Sequence, residues 1–554
     1  MRKIIGIIVI LLFLIPDKVF CFKKGVVASD SEIASRVGIE ILKKGGNAVD
    51  AAVAVGFALA VTFPPAGNIG GGGFMLIRMA DGKVFLIDYR EKAPKKAHRD
   101  MYLDEKGEVI ENLSTEGFLA IGVPGTVAGL TMALEKCGTL KLEDVIKPSI
   151  ELAEKGFKVN KYLEESLKRS KHLSKNAESK KIFLNNGNFY KEGDLLIQKD
   201  LAKTLKAISK KGKTGFYSGK VASKIEADMR KNGGFITKDD LLSYEAKLRN
   251  PIRFKFRNYE IITPSPPSSG AILVEILNIL ENFKLNTFQH NSAEYIHIVT
   301  EAMKLAFRDR AKFMGDPDFV NIPLRRIISK EYAFKKAQEI KFLKAMDEKE
   351  SDFGDPFKES EETTHFSVAD QWGNVVSNTY TLNGGYGSGV TIKGTGVLMN
   401  NEMDDFCIKP NYPNIYGLIG GEENSIQPEK RMLSSMVPSI ILKDDKPFLA
   451  LGSPGGPTII NTVAQVILNL LDFKMTIENA VLAPRFHHQW IPNQIVLEEG
   501  KFSDIVLKEL EKRGHKISFR KRLGDVQAII FNGEEGEFYG FSDPRGPGKV
   551  AGCD

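Results

Sequence analysis

The first part of the chain has the hydrophobic spacing of two consecutive helices. Apolar residues recur at positions 33, 37, 41 and 42, which lie on one face of a helix. A Ser-Asp pair at 29–30 is predicted to cap this helix, and a Gly-Gly pair at 45–46 is predicted to end it. A second helix is predicted over 48–63, capped by Asn47, and it is apolar on every side except at Asp50. This length and pattern are typical of a buried core helix rather than of a membrane span.

Farther along the chain, strand-like and helix-like patterns alternate without an internal repeat. The patterns predict strands over residues 74–79, 84–89, 366–370 and 375–382 and ending near Phe541, and helices over most of 140–345 and over Thr458–Leu471. The strands 366–370 and 375–382 are separated by a short turn-forming segment, which predicts a hairpin. Periodicity alone therefore indicates a mixed α and β chain.

The amino terminus has the composition of a secretory signal peptide. Arg2 and Lys3 precede an apolar run over 4–15, which is too short to span a bilayer but suits the core of a signal peptide. We predict that residues 1–21 are a signal peptide, cut near Cys21, and that the protein is secreted across an inner membrane into a periplasm-like compartment. Lipid attachment at Cys21 stays open, although the bulky Phe20 before it argues against this.

Composition and charge narrow the class of protein. The chain of 554 residues is 42% hydrophobic, as globular proteins are, and its net charge of +7 is spread thinly over lysine-rich segments. The sequence has no compact basic stripe with interleaved aromatic residues, which argues against a nucleic-acid partner. The four cysteines suggest neither a disulfide framework nor a zinc site. His487 and His488 are adjacent and point apart, so we predict no metal and no other cofactor.

A threonine pair at the start of the predicted hairpin is the strongest candidate for chemistry. Thr363 and Thr364 follow an acidic, irregular run that ends at Glu362. A threonine hydroxyl is a weak nucleophile unless a base lies beside it, and a freed α-amine, with a pKa of about 7.7–8.0, can be that base. Thr381 ends the partner strand, so the hairpin returns the chain close to Thr363, and Asn383 follows on the same face. Taken alone, a Thr-Thr pair is more typical of an ordinary strand.

Four other polar clusters can serve such a nucleophile, although each also has a simpler interpretation. They are the strand end Asp88-Tyr89-Arg90-Glu91, the turn from Asn400 to Phe406, the paired hydroxyls Ser434 and Ser435, and the glycine turn from Gly452 to Pro457. Arg90 suits bidentate binding of a carboxylate, and the N–H groups of a glycine turn before a helix can receive an oxyanion. Singly, the same clusters fit a local ion pair, a surface turn or the plain start of a helix.

Together and in this order, these segments closely resemble one family, the γ-glutamyltranspeptidases, which are N-terminal nucleophile hydrolases. The resemblance extends from about Gly25 to Arg545. Its motifs are Gly67 to Phe74, Asp88 to Glu91, Gly122 to Thr126, Pro267 to Gly270, Gly315 to Pro317, Thr363 to His365, Asn401 to Phe406, Ser434-Ser435, Gly452 to Gly456, Pro484 to His488 and Asp543 to Arg545. The glycines at 70–73 lack the Gly-Lys-Ser/Thr ending of a nucleotide loop, and close backbone packing explains them better.

The resemblance implies an α+β fold, namely a four-layer αββα sandwich of two stacked sheets with helices outside, built from both subunits of a self-cleaved precursor. It implies cleavage between Glu362 and Thr363, which gives a large subunit of residues 22–362 and a small subunit of residues 363–554 that stay associated. Thr363 is then the expected nucleophile, with its own freed amine as the general base. Thr381 matches the residue that holds the rotamer of that nucleophile.

The resemblance also implies how the substrate is bound. Gly455 and Gly456 match the backbone oxyanion hole, Arg90, Ser434 and Ser435 match the clamp on the substrate α-carboxylate, and Asn383, Glu402 and Asp405 match the group that receives the α-ammonium. Tyr416, in a loop over 409–425, matches the tyrosine that covers the substrate in the glutathione-processing branch. The expected donors are glutathione and related γ-glutamyl compounds, and the expected acceptors are water, amino acids or peptides.

Some positions depart from the pattern of the family and leave alternatives open. Position 402 is Glu where some relatives have Gln, and this second carboxylate beside Asp405 favours γ-glutamyl over glutaryl substrates. Met432 replaces a common proline, and a Gly-Gly pair at 384–385 replaces bulkier residues, which predicts a looser clamp and a more open rim. The alternatives are a cephalosporin-acylase-like amidase acting on glutaryl groups and an uncleaved, inactive relative kept for binding or structure.

Overall fold

The computed structural model describes residues 21–347, 363–532 and 536–554. Residues 1–20 of the predicted signal peptide (1–21) therefore lie outside the described residues. Glu362, the first residue of the predicted cleavage bond, lies outside them as well. Within the described ranges, no helix combines the length and the apolar character that crossing a membrane requires.

The helices are grouped mainly before residue 340. They are α1 (Glu32–Lys43), α2 (Ala48–Thr62), α3 (Thr126–Cys137), α4 (Leu142–Lys155), α5 (Lys161–Arg169), α6 (Ala177–Phe183), α7 (Lys199–Lys211), α8 (Thr214–Tyr217), α9 (Gly219–Lys231), α10 (Lys238–Leu242), α11 (Gly270–Leu280), α12 (Ala293–Phe313), α13 (Leu324–Ile327), α14 (Lys330–Ala337), α15 (Thr458–Leu471), α16 (Ile477–Leu482) and α17 (Asp504–Lys512). The predicted helical character of 140–345 and the helix at Thr458–Leu471 are confirmed.

The strands are distributed over the whole described chain. They are β1 (Cys21–Phe22), β2 (Gly25–Ser29), β3 (Gly72–Arg78), β4 (Val84–Asp88), β5 (Phe157–Lys158), β6 (Leu184–Asn185), β7 (Asn188–Phe189), β8 (Leu195–Leu196), β9 (Lys247–Arg249), β10 (Ile252–Phe256), β11 (Tyr259–Thr263), β12 (Thr364–Asp370), β13 (Val375–Thr381), β14 (Ser439–Lys443), β15 (Lys446–Gly452), β16 (Phe486–His487), β17 (Ile495–Glu498), β18 (Ile517–Arg520), β19 (Gln527–Asn532), β20 (Glu537–Ser542) and β21 (Lys549–Cys553).

Two seven-stranded antiparallel sheets lie at the centre of the described chain. One has the order β1-β20-β19-β15-β14-β11-β10, and the other has the order β21-β2-β12-β13-β3-β4-β9. Helices α1, α2 and α3 pack on the outer face of the sheet that contains β12, and α11 and α15 pack on the outer face of the other sheet. This sequence of layers confirms the α+β, four-layer αββα sandwich. Each sheet combines strands from before and after Thr363, so the two segments cannot separate without breaking both sheets.

The first helix is capped by a different residue from the pair predicted. Ser31 is the N-cap of α1 and accepts a hydrogen bond from the Ala34 N–H, whereas Ser29 ends β2. The carboxylate of Asp30 is not available for capping because it accepts hydrogen bonds from Thr364, His365 and Gln527. The prediction of the cap was wrong because a distant strand uses this carboxylate.

Helix α2 is buried on all sides, as predicted from its pattern. All 15 of its residues are buried, and Asn47 caps it together with Asp50. The Asp50 carboxylate accepts hydrogen bonds from the backbone N–H groups of Thr139 and Leu140 and from the Thr139 hydroxyl. A buried carboxylate is tolerated when its oxygens are hydrogen-bonded, which explains the single acid in an apolar helix.

The predicted hairpin is confirmed and lies in the middle of its sheet. In β12, Phe366 and Val368 face the core beneath the helices, as expected. The alternate residues face the second sheet instead of solvent, so all seven residues of β12 are buried. The Ser367 hydroxyl donates to the Gln527 carbonyl of the second sheet over 3.1 Å. Burial lowers the pKa of His365 to about 3, so its imidazole is neutral between the sheets.

Candidate functional site

Two threonine hydroxyls meet at the open end of the β12–β13 hairpin. Thr364 pairs with Tyr380, which places Thr363 beside Thr381. The Thr363 hydroxyl donates to the Thr381 oxygen over 3.3 Å, and both residues are nearly buried. The Thr381 oxygen also accepts a hydrogen bond from the Asn383 N–H at 2.9 Å. The Thr381 oxygen therefore orients the Thr363 hydroxyl. The structure brings together three of the predicted site residues, namely Thr363, Thr381 and Asn383.

Asp30 fixes the start of the strand that carries Thr363. One carboxylate oxygen accepts from the Thr364 hydroxyl at 2.7 Å and from the His365 N–H at 3.3 Å, and the other accepts from the Gln527 side chain at 2.7 Å. Charge-assisted hydrogen bonds of this kind are stronger than neutral ones. The sequence does not reveal this role, because Asp30 resembles an ordinary helix cap and lies far from Thr363 in the chain.

Gly455 and Gly456 lie between β15 and the first turn of α15, next to Thr363. Their φ values are +130° and +53°, a region that favours glycine. A Cβ on Gly456 would lie 3.0 Å from the Tyr416 ring, which leaves little space for a side chain. The pair precedes the N-terminus of α15, where backbone N–H groups and the helix dipole favour negative charge. The loop can therefore stabilise an oxyanion formed at Thr363.

Arg90 lies in the same region and is surrounded by three carboxylates. Its guanidinium contacts Glu402 at 2.5 Å, Glu91 at 3.5 Å, and Asp405 through a short hydrogen bond. Burial alone would lower the pKa of Arg90, but Glu402, Asp405 and Glu91 together raise it. The arginine that the resemblance assigned to the α-carboxylate is thus in direct contact with the two acids assigned to the α-ammonium.

The two acids predicted to bind an ammonium group occupy different positions around Arg90. Asp405 lines a cavity together with Arg90 and Thr363, whereas Glu402 is fully buried behind the arginine. Burial raises the pKa of Glu402, the charge of Arg90 opposes this, and Glu91 and Asp405 add to it. Burial also raises the pKa of Glu91 to about 8. A cation entering the cavity would therefore favour the ionised form of these carboxyls.

The same cavity is bordered by Asn383, Ser434 and Ser435. The Ser434 N–H donates to the Pro267 carbonyl at 2.8 Å. Ser435 accepts a hydrogen bond at 3.1 Å from Arg310, a residue that the sequence did not single out. Burial lowers the pKa of Arg310 to about 10. Arg310 thus orients one of the two predicted clamp hydroxyls and adds positive charge behind them.

Tyr416 closes the cavity from the loop over 409–425. It is only 4% exposed, and its hydroxyl donates to the Asn383 carbonyl at 2.7 Å. Gln489, another residue missed at the level of sequence, donates to the Tyr416 carbonyl at 3.0 Å. In the same loop, the Asn414 side chain donates to Asp405 at 3.1 Å. The loop is therefore attached to the residues that line the cavity.

Replacement of Tyr416 by Phe tests how strongly this loop is held. Loss of the hydrogen bond to the Asn383 carbonyl removes about 0.5–1.5 kcal/mol of the free energy that holds the loop over the cavity. We expect Tyr416→Phe to raise KM about threefold to tenfold with little change in kcat, measured by steady-state kinetics with an anilide of the acyl group that the resemblance implies. Tyr412→Phe is the matched control because Tyr412 lies in the same loop and is 37% exposed. Equal effects of the two replacements would contradict the role of the Tyr416 hydroxyl.

One group of potential metal ligands lies elsewhere in the described residues. His297, Glu301 and His515 are buried, with donor atoms close enough to share an ion. The two imidazoles are hydrogen-bonded to each other at 2.7 Å, and the ammonium of Lys304 lies 2.9 Å from the Glu301 carboxylate. These contacts join the two histidines to each other and Glu301 to Lys304. The adjacent His487 and His488, considered from the sequence, make separate hydrogen bonds to Asn461 and Trp490.

The geometry around Thr363 fits acyl transfer. A hydroxyl held by Thr381 lies beside a glycine loop at a helix N-terminus and beside a cavity with one arginine and a carboxylate. A small ligand that carries both an α-carboxylate and an α-ammonium would have a partner for each charge in this cavity. An electrophilic carbonyl farther along such a ligand would then lie over the Thr363 hydroxyl.

A family model and a curated relative both match this chain over most of its length. The family model described as gamma-glutamyltranspeptidase matches residues 34–553. A glutathione hydrolase proenzyme of Escherichia coli (strain K12) is 49% identical over 528 residues, which cover 94% of this chain and 90% of that protein.

Solved structures are also similar. A crystal structure of cephalosporin acylase from Bacillus halodurans has a TM-score of 0.85 at 29% identity and covers 97% of each chain. A crystal structure of Helicobacter pylori γ-glutamyltranspeptidase has a TM-score of 0.57 at 50% identity, covering 57% of this chain and 92% of that one.

Proposed function

This chain belongs to the γ-glutamyltranspeptidase family and is a γ-glutamyl hydrolase/transferase that processes itself, and we propose that Thr363 is the residue that performs both reactions. The observation that carries this proposal is the Thr363–Thr381 hydroxyl pair, which lies between the Gly455–Gly456 loop and the cavity containing Arg90 and Asp405. The chemistry of each step follows from these positions.

In the precursor, the Thr363 hydroxyl attacks the carbonyl carbon of Glu362. The peptide bond breaks as the acyl group moves from the Thr363 nitrogen to its oxygen, and the nitrogen takes up the hydroxyl proton. Water then hydrolyses the ester and leaves a carboxylate on Glu362 and a free amine on Thr363. The products are a large subunit ending at Glu362 and a small subunit beginning at Thr363, held together by the two shared sheets.

In turnover, the freed amine of Thr363 accepts the proton of its own hydroxyl as the oxygen attacks the γ-carbonyl of the donor. The N–H groups of Gly455 and Gly456 stabilise the oxyanion. The amine then protonates the leaving nitrogen, which departs and leaves a γ-glutamyl ester on Thr363. Water or the amine of an acceptor attacks this ester, and the proton that it loses returns through the Thr363 amine to the hydroxyl.

Recognition of the donor depends on the charges around Arg90. An α-ammonium that enters the cavity favours the ionised forms of Glu91 and Glu402, so that Arg90 then faces three carboxylates and the cluster has an excess of negative charge. An α-ammonium compensates this excess, while Arg90, Ser434 and Ser435 receive the α-carboxylate. Tyr416 covers the bound group. A γ-glutamyl substrate such as glutathione supplies both charges on one carbon, with the γ-carbonyl at the other end.

Replacement of Glu402 by Gln tests the contribution of the excess negative charge. The glutaryl anilide lacks the α-ammonium of the γ-glutamyl anilide. We expect the replacement to lower kcat/KM for the γ-glutamyl anilide about tenfold relative to kcat/KM for the glutaryl anilide. A tenfold change corresponds to about 1.4 kcal/mol. The ratio of the two substrates is the measurement, because changes common to both cancel. Glu422→Gln removes an exposed carboxylate of the Tyr416 loop and is the matched control. An unchanged ratio of the two kcat/KM values would show that Glu402 pairs with Arg90 but does not contribute to recognition of the α-ammonium.

The structural similarity to cephalosporin acylase favours a glutaryl amidase as the second candidate function. A glutaryl group would bring a carboxylate to Arg90 but no ammonium, so the Asp405 carboxylate in the cavity would gain no second cationic partner. The comparison of γ-glutamyl and glutaryl anilides with the unmodified enzyme distinguishes the two functions directly. Higher kcat/KM for the glutaryl compound would favour the amidase.

The first test of the proposed function is the intact mass of the purified, folded protein. We expect two fragments that meet between Glu362 and Thr363, followed by release of aniline from a γ-glutamyl anilide. A single chain that stays uncut for days at neutral pH and shows no turnover would support the inactive, uncleaved relative instead.

We also propose that the protein is exported and that the mature enzyme is a heterodimer of the two subunits. The proposal of export rests on the charged and apolar start of the sequence. Cys21 and Phe22 pair with Tyr539 and Phe538 in β1–β20, so a cut after residue 21 would leave one of the two residues of β1 and a cut before Cys21 would keep both. Sequencing the amino terminus of the protein recovered from a periplasmic fraction tests the cut and the compartment together.

A further inference from the structure

Thr363 borders two cavities that lie on different sides of it. The first is the cavity that contains Arg90 and Gly456. The second contains Gly455 and Arg522. Thr363 is the one residue that lines both. The nucleophile therefore lies where the two spaces meet, and the oxyanion loop contributes one glycine to each.

The order of groups around the reacting carbon assigns different parts of the substrate to the two cavities. When the Thr363 oxygen bonds to the carbon of the γ-carbonyl group, this carbon also bears the glutamyl chain, the oxyanion and the amine. The glutamyl chain extends toward Arg90, and the oxyanion points to the N–H groups of the glycine loop. The amine has to point elsewhere, and the second cavity borders both Thr363 and Gly455.

The second cavity contains an arginine whose position is fixed by its surroundings. The Arg522 guanidinium lies 5.7 Å from the centre of the Tyr162 ring and donates to the Arg545 carbonyl at 2.9 Å. The Tyr162 ring is stacked on Phe63 with centres 5.8 Å apart. A guanidinium presents its N–H groups in a planar fork that matches a carboxylate, and packing on an aromatic ring reduces the entropy lost on binding.

The loop that carries Arg522 is attached to the oxyanion loop. The Asp525 N–H donates to the Ser453 hydroxyl oxygen at 2.9 Å, two residues before Gly455. The Leu523 N–H donates to Glu498 at 3.1 Å. Gly524 has φ +70°, and a Cβ there would meet Ser453 at 2.7 Å, so the close packing requires glycine. The distance between Arg522 and the reacting centre is thereby fixed.

The charge inside the second cavity is compatible with an anionic ligand. Asp525 also lines this cavity, and its carboxyl is buried. Burial raises the pKa of Asp525 well above its usual range, and the charges of Asp30 and Asp543 raise it further. The charges of Arg522 and Arg485 lower this pKa again. A carboxyl that resists ionisation repels a carboxylate held by Arg522 less than a readily ionised one does.

We propose that Arg522 binds the free carboxylate of the amino acid or short peptide that accepts the γ-glutamyl group, with Phe63 and Tyr162 forming the apolar wall of this acceptor site. The inference rests on the proposed function and adds where the acceptor lies and what chemistry it needs. The same contact holds the carboxylate of the departing peptide when glutathione is the donor. A dipeptide with a free carboxyl terminus is then a better acceptor than its amide.

The test compares glycylglycine with glycylglycinamide as acceptors and uses a γ-glutamyl anilide, whose leaving group has no carboxylate, as the donor. In the unmodified enzyme, we expect the KM for glycylglycine to be at least about tenfold lower than that for the amide. In Arg522→Met, we expect the KM for glycylglycine to rise about tenfold to a hundredfold, the range of a lost charge-assisted contact, and the KM for the amide to stay the same. Arg522→Lys should retain part of the preference.

Lys521→Met is the matched control, because it removes an exposed positive charge from the adjacent position. Equal KM values for the two acceptors in the unmodified enzyme would overturn the proposal even if Arg522→Met failed to fold. A KM for glycylglycine that is unchanged in Arg522→Met, or that rises equally in Lys521→Met, would also overturn it. Hydrolysis of the anilide without an acceptor is measured separately, and its absence in the unmodified enzyme would contradict the proposed function rather than the acceptor site.

Discussion

Thr363→Ala should yield a protein that remains one uncut chain and has no measurable γ-glutamyl transfer. In the proposed mechanism, the Thr363 oxygen attacks both the Glu362 carbonyl and the donor carbonyl, so its removal leaves both reactions without a nucleophile. Removal of a nucleophile from comparable enzymes lowers kcat by about a million-fold. Intact mass measures the cleavage, and release of aniline from a γ-glutamyl anilide measures the turnover. The fold should be retained, because Thr363 precedes β12 and the sheets do not depend on its hydroxyl.

Thr363→Ser is the matched control for this prediction. It keeps a hydroxyl at the position that donates to Thr381 and removes only the methyl group. We expect this variant to cleave itself and to turn over substrate, at lower rates because serine is less restricted in its rotamer. Normal cleavage or normal turnover in Thr363→Ala would mean that another residue is the nucleophile.

Arg90→Met should have the second largest effect, on both substrate binding and stability. The replacement leaves Glu91, Glu402 and Asp405 without their shared cation, and breaking a buried ion pair from one side costs about 3–5 kcal/mol. We therefore expect a lower free energy of unfolding, measured by chemical denaturation. We also expect KM for the γ-glutamyl anilide to rise at least about a hundredfold, because the carboxylate of the donor loses its charged partner.

Arg90→Lys separates these two effects. It preserves a positive charge among the three carboxylates but removes the planar fork that binds a carboxylate through two hydrogen bonds. Most of the stability should return, whereas KM should stay high. A KM that is unchanged in Arg90→Met, measured at a temperature where the variant is folded, would rule out contact between Arg90 and the donor.

The elements most accurately predicted from sequence are those whose pattern is local. Helix α15 was predicted with the bounds that it has, and the β12–β13 hairpin was predicted to within two residues at each end. These segments have strong periodicity and clear turn residues, which act over a few neighbouring positions. The glycines at 70–73 were also interpreted correctly as close packing. A Cβ on Gly71 would lie 2.1 Å from the Thr381 carbonyl.

The errors and omissions arise where a side chain is used by a distant part of the chain. Asp30 was predicted to cap a helix, but it holds the strand of Thr363 across 334 positions. Arg310 and Gln489 were not singled out, since nothing in their neighbouring sequence indicates Ser435 or the Tyr416 loop as partners. Such contacts have no signature in local spacing.

The sequence by itself determined the secondary structure around the site and, through the order of its motifs, the family and the residue types at the reacting centre. Only the tertiary structure decided that Arg90 contacts Asp405 across 315 positions, that Glu402 is buried behind the arginine, and that a second cavity with Arg522 borders Thr363. Local patterns follow from backbone geometry and hydrophobic spacing over a few residues. The contacts of a charge and its pKa depend on burial and on partners that only the folded chain brings together.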